Sequence, residues 1–439
     1  MVKGKLNFTL QNVKTKRNTN MNMNMNMNMN MIVGNNKNNN QVKPRLNLDF
    51  KKTTNSEHFK KNTIYYIYRK EVEGINTIKH YNDSFKKFSK FNFEYLDIFE
   101  LVKLVKHNNI LPINKCIIIF SYSVLHIYKE EILLNYFKNC NSIKIAFIQD
   151  DYYDINNISN FINYTNIHHI FTVLDKDDDI KKVYKSINFN NVKINKCLTG
   201  YINNNNNNSY KKIKDNKIDI FYRGKKLSPI YGELGYLKYK IGHEIDRYIK
   251  NNNIQLNIDI SSNQKDRIYG NLWEKTLSNS KTTLATPSGS NVLDYDNVLR
   301  NRIKSKFNFD REGILNENQD PNVIFKSVNE FNIKEELNLE VVSPKMFEAV
   351  QFGTVLIMYE GKYSNIFIAN KHYIPLKRDH SNISEVINKI KDDNYLQKIA
   401  DNAYNDIILS NKYTYQSFIK YVDHVIDKNY YNISKNLIK

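Results

Sequence analysis

Two stretches, KCIIIF at 115–120 and SIKIAFIQ at 142–149, carry apolar side chains on consecutive residues. A strand wetted on one face alternates apolar and polar residues, so a run without alternation must be covered on both faces. TIYYIY at 63–68, FEYLDI at 93–98 and HIFTV at 169–173 read as further strands, with helix-like stretches at 83–91 and 127–139 between them. Strands that alternate with helices predict a parallel sheet with helices packed on both sides.

A second set follows INNNNNNS at 202–209, a run too polar to enter a core and suited to a surface linker. Strands are expected at 218–222 (IDIFY), 282–285, 355–359 and 372–375. Helices are expected at 235–251, 343–351, 384–391, 394–409 and 415–426. The plan is an α/β chain with two Rossmann-like halves, 59–201 and 211–411, a linker at 202–210 and a closing helix in 412–439. Ligands of such sheets bind outside the carboxyl ends of the strands, and between two facing halves the cleft is the expected site.

The chain carries a formal charge of +20 over 439 residues. Residues 1–70 hold fourteen Lys or Arg against Asp49 and Glu57, which is +12, so the rest carries +8. The first 58 residues, with Asn and Met alternating over 20–31, read as a disordered low-complexity tail. The basic balance of the remainder suits an anionic small molecule, with nucleic-acid binding through the tail as the lesser alternative. No run of about 18 apolar residues is present, and no apolar signal region follows the first lysines. Cys116, Cys140 and Cys197 fit neither a zinc spacing nor a disulfide framework. A cytoplasmic location is therefore expected. No G-x-G-x-x-G follows the first strand and no P-loop is present, which argues against a dinucleotide oxidoreductase and a P-loop NTPase. No nucleophile elbow is visible.

Residues 340–361, EVVSPKMFEAVQFGTVLIMYEG, join a proline-started helix to a strand. Ser343 suits an N-cap and Pro344 the first helical turn. A helix start favours phosphate, and Glu348 further along could accept from ribose hydroxyls. After the strand at 218–222, Arg223, Lys225 and Lys226 suit a diphosphate, Arg as a fork and Lys as a point charge. Ser288, Gly289 and Ser290 could form a backbone nest for an anion. At the end of a first-half strand, Asp150 or Asp151 could act as general base on an acceptor hydroxyl, or bind it. Ser121, Tyr122 and Ser123 could line that side. His126, His168 and His169 read as structural, and no cluster has metal spacing.

The segment from Glu340, continuing to HYIPLK at 372–377, resembles the donor-binding segment of GT-B glycosyltransferases. It is nearest to the "glycosyl transferases group 1" subset found in spore-maturation-type proteins. The matching residues are Ser343, Pro344, Lys345, Phe347, Glu348, Ala349, Gly353, Thr354 and His372 to Pro375. FYRGKKLSPIYGELG, ATPSGSNVLDYD and FIQDDYYD fit the same family. The resemblance implies a GT-B-like fold and a nucleotide-sugar donor, with Glu348 on the ribose and Glu340 facing the donor sugar. It further implies a saccharide, lipid or protein acceptor and catalysis without a bound metal or other cofactor. A GT-B fold that binds a saccharide or a partner without catalysis is the alternative.

Overall fold

The computed structural model describes residues 63–70, 76–107, 116–125, 130–203, 210–327, 331, 333, 337 and 339–437. Of residues 63, 76 and 430–437 only the backbone is described. The expected tail, the Asn run at 204–209 and His126 lie outside the described residues.

In the first half β1 (Thr63–Tyr68), α1 (Asn76–Phe88), β2 (Asn92–Asp97), α2 (Ile98–Lys106), β3 (Ile117–Phe120), α3 (Glu131–Asn139) and β4 (Ile143–Phe147) follow in turn. They continue with α4 (Ile155–Tyr164), β5 (His169–Thr172), α5 (Asp177–Val183) and β6 (Lys193–Lys196). All six strands are parallel, in the order β2-β1-β3-β4-β5-β6. The apolar run of β3 is buried along its whole length, as a strand covered on both faces must be. β6 (KINK) was not expected. It is an edge strand, half wetted, so its residues mix polar and apolar. The order reverses between β1 and β3, which places a crevice at their carboxyl ends.

The second half runs β7 (Ile218–Arg223), α6 (Gly232–Asn251), β8 (Ile258–Ser261), α7 (Gly270–Leu277), β9 (Ser280–Ala285), β10 (Ser288–Ser290), α8 (Val298–Lys306) and α9 (Pro321–Lys326). It continues with β11 (Leu339–Val341), α10 (Pro344–Phe352), β12 (Val355–Tyr359), β13 (Tyr373–Leu376), α11 (Ile383–Ile390), α12 (Asp393–Ala403) and α13 (Tyr415–Leu437). Its main sheet is parallel throughout, in the order β13-β12-β9-β7-β8. Here the order reverses between β7 and β9. Two doubly wound parallel sheets in one compact unit give the GT-B-like α/β fold. The helix expected to reach residue 409 ends at Ala403, and a wider π turn takes over from Tyr404 to Ile408.

The halves exchange pieces. Helix α13 packs on the first half, where Phe418 stacks on Tyr201 at 4.3 Å and Ile419, Val422 and Ile426 are fully buried. The described residues between 291 and 341 form an excursion from the second half, with a small core of Ile303, Phe309, Leu315, Ile324 and Phe331 closed by Ile230. Leu293 and Leu339 of this excursion sink into the core of the first half. Its backbone pairs there too: Asp294 N–H donates to Tyr152 O at 3.0 Å, and Asp154 N–H donates to Asp294 O at 3.0 Å. Part of the span 211–411 therefore belongs to the first half by packing, because its leucines find their apolar partners there. Among the described residues no helix is long and apolar enough to cross a membrane.

Candidate functional site

Helix α10 carries the second-half residues expected to bind the donor. Ser343 takes the extended conformation of an N-cap, Pro344 opens the first turn, and Gly353 ends the helix in the left-handed region at φ +79°. The Ser343 hydroxyl makes no capping bond, so the first-turn N–H groups keep their bias toward an anion. Glu348 lies on the same helix. Its Oε2 accepts a 2.8 Å bond from Trp273 Nε1 of α7. The Lys345 ammonium sits 4.6 Å over the Trp273 ring. Burial raises the Glu348 carboxyl, opposed by Trp273 and Lys345.

Three lysines lie close enough together to perturb one another. Burial pushes Lys238 of α6 down to about 8, helped by the charges of Lys225 and Lys345. Burial also pushes Lys345 down to about 8; Glu348 opposes the shift, while Lys225 and Arg267 add to it. The Lys345 side chain remains exposed to solvent. Lys225 reaches Glu312 at 3.4 Å. Among the described residues neither Lys238 nor Lys345 has an ion-pair partner. Burial with like charges nearby disfavours the protonated state, and such arrangements concentrate at functional sites.

Arg223 does not join them. Its guanidinium grips Asp259 of β8, Nη1 to Oδ1 at 2.7 Å and Nη2 to Oδ2 at 2.9 Å. Its Nε donates to Asp266 O at 2.8 Å. The fork expected for a diphosphate is occupied in holding the sheet edge. Lys226 is half-buried beside Lys225, and its backbone carbonyl accepts from Leu315 N–H. Ser288, Gly289 and Ser290 form no nest, because they are strand β10 paired antiparallel with β11. Ser290 is fully buried, with its hydroxyl bonded to Val292. Gly289 sits opposite Glu340 in that pair. Glu340 accepts from Arg378 Nη2 at 2.6 Å, and Arg378 Nη1 reaches Glu233 at 3.0 Å.

On the first half the two aspartates part. Asp151 is 1 % exposed and takes a 2.5 Å bond from the Tyr184 hydroxyl. Burial pushes it up to about 6. It faces the core, not an acceptor. Asp150 is half-buried and accepts from the Tyr152 hydroxyl at 2.9 Å. Its charge reaches Tyr122, Tyr153, Tyr231 and, from the second half, Lys238. The Tyr152 ring meets Tyr231 of the second half edge-on at 5.8 Å. His80 of α1 is the first-half group that Glu348 senses. Ser121 is fully buried, bonded to Ser123 and Asn82, and the Tyr122 ring packs edge-on against Tyr81 of α1 at 5.1 Å. His168 is pushed down to about 4, chiefly by burial. It precedes β5 and so lies at the strand end remote from the cleft.

Sequence reasoning missed Lys238, Trp273, Tyr231 and Arg378. Trp273 is the chain's only tryptophan, and Arg378 follows the HYIPLK match directly. Those are the signals that were there to use. Tyr231 lies inside the FYRGKKLSPIYGELG match, whereas Lys238 has no signal, since the fold alone brings it near Asp150.

No protein-family model matches the chain, and no curated protein matches it in sequence. Solved structures do resemble it. Anabaena Alr3699/HepE in complex with UDP and glucose aligns at TM-score 0.45 and 10% identity, over 84% of this chain and 100% of that one. A glycosyltransferase from Rickettsia africae ESF-5 aligns at TM-score 0.47 and 11% identity, over 86% and 100%. An alpha,alpha-trehalose-phosphate synthase (UDP-forming) from Burkholderia vietnamiensis aligns at TM-score 0.40 and 8% identity, over 83% and 100%.

Proposed function

We propose that the chain is a glycosyltransferase that moves a sugar from a nucleoside-diphosphate donor, of uridine or guanosine, to an acceptor hydroxyl. One observation carries this reading. Lys225, Lys238 and Lys345 gather beside the start of α10, and two of them have no ion-pair partner among the described residues. A diphosphate supplies the missing charge. Transfer breaks the bond between the sugar's anomeric carbon and the diphosphate oxygen, which keeps the electron pair. The lysines and the α10 amides stabilise that developing charge. The acceptor oxygen bonds to the anomeric carbon, and its proton passes to Asp150 or to the departing phosphate. Glu340, held by Arg378, stands on the donor-sugar side. Glu348 takes the ribose hydroxyls.

Calorimetric titration with UDP and GDP tests the class of ligand. Binding at micromolar to low millimolar concentration is expected, and no binding of either at millimolar levels ends the transferase reading. Glu348→Ala is expected to weaken UDP about tenfold through loss of a charged acceptor, with inorganic pyrophosphate affected less. Equal UDP binding by variant and parent would remove Glu348 from the ribose.

A further inference from the structure

Beyond the lysines, tyrosines from both halves meet around Asp150, beside Arg300 of the excursion. Tyr152 and Tyr153 follow β4, and Tyr231 opposes Tyr152 from the second half. Asp150 is bonded to the Tyr152 hydroxyl among them. The excursion adds two guanidinium groups. Arg300 lies 5.8 Å over the Tyr153 ring and 5.7 Å from that of Phe309. Arg311 lies alongside, its backbone oxygen accepting from Arg300 Nη2. Neither arginine has an ion-pair partner among the described residues, although ion pairs are common elsewhere on this surface. Asp294 holds the start of α8 in place, accepting from Arg300 N–H at 2.8 Å and Leu299 N–H at 3.3 Å. This turn fixes the backbone of Arg300 beside the tyrosines, and the charge of Arg311 also reaches Tyr153.

We infer, on the transferase reading above, that the acceptor is a sugar bearing an oxyanion. Its ring lies on the tyrosines, its reacting hydroxyl meets Asp150, and its anionic group is held by Arg300 and Arg311. Flat aromatic faces suit the C–H faces of a pyranose, and guanidinium forks suit phosphate and carboxylate alike. The anion-binding pair belongs to the excursion, whereas the donor lysines do not, so the two sites can be separated by mutation.

The test is calorimetry of the full chain saturated with UDP, using glucose 6-phosphate, glucuronate and methyl glucoside. The two anionic sugars are expected to bind at least about tenfold tighter than methyl glucoside, as a charge-assisted contact provides. Their ranking separates a phosphate acceptor from a carboxylate one. Arg311→Glu changes an exposed side chain and should leave folding intact. It is expected to remove the preference while UDP affinity stays unchanged, and Arg300→Gln to reduce it in the same direction. Equal affinity for all three sugars, or an Arg311→Glu protein that keeps the preference, overturns the assignment while the donor reading stands. Failure of UDP itself to bind overturns both.

Discussion

A Lys238→Met protein is expected to bind UDP roughly 10- to 100-fold more weakly than the parent, the loss of one charged phosphate contact, and yet to melt at a higher temperature. Both effects have one origin. Burial and two neighbouring lysines lower Lys238 from the usual 10.5 to about 8. Between those values the unfolded chain binds more protons than the folded one, so stability rises with pH over that window. At neutral pH the protonated side chain is thus a net cost to the fold. Discounted for the part of the side chain open to water, the cost is on the order of 1 kcal/mol, or about 2 °C in Tm for a unit of this size. Methionine removes the charge and keeps the apolar stem. The same shift predicts the pH dependence of binding. Lys238 and Lys345 both lose their protons as pH rises through about 8. UDP affinity should fall roughly 10- to 100-fold from pH 7 to 9. Lys238→Arg, whose charge persists, should flatten part of that fall. A Lys238→Met protein that melts lower and binds UDP normally would show that the lysine is structural.

How much of this could be read from the chain follows from where each signal resides. The central strands β3 and β12 are buried on both faces and their unbroken apolar runs declared them, while β4 carries one buried lysine, Lys144, whose ammonium bonds Cys140 O. The edge strands β6 and β8 are half wetted, and KINK and IDIS look like loop. The start of α10 was legible because a proline and an N-cap residue act locally. Arg223 was misassigned for the opposite reason. The direction of a side chain at a strand end depends on its neighbour in the sheet, here Asp259, which lies 36 residues away. The aspartates of FIQDDYYD lie past the end of β4, where the chain turns, and which one is drawn into the core depends on Tyr184. The excursion was illegible because its leucines complete a core made by the other half.

Gly289→Ala is expected to impair the reaction more than donor binding. Gly289 has φ +98°, and a Cβ there would lie 2.0 Å from the Leu339 carbonyl oxygen. Alanine can relieve that overlap only by parting β10 from β11. Left-handed strain plus overlap against backbone costs about 3 kcal/mol. Glu340 occupies the ladder position opposite Gly289, so it moves with the parted strand and leaves Arg378. Arg378 still has Glu233. Lys225 and Lys238 lie on other elements, and α10, although it starts just past β11, keeps its own packing through Met346, Phe347 and Val350, so UDP affinity should fall less than turnover. Donor turnover, read as nucleoside diphosphate released from an accepted sugar donor, should fall on the order of 100-fold if Glu340 must hold its place within a fraction of an ångström. This separation of binding from turnover distinguishes the strand from an anion-binding nest. A nest at these residues would lose UDP first, so a Gly289→Ala protein with intact turnover and weakened UDP binding would restore that assignment and take Glu340 out of the mechanism.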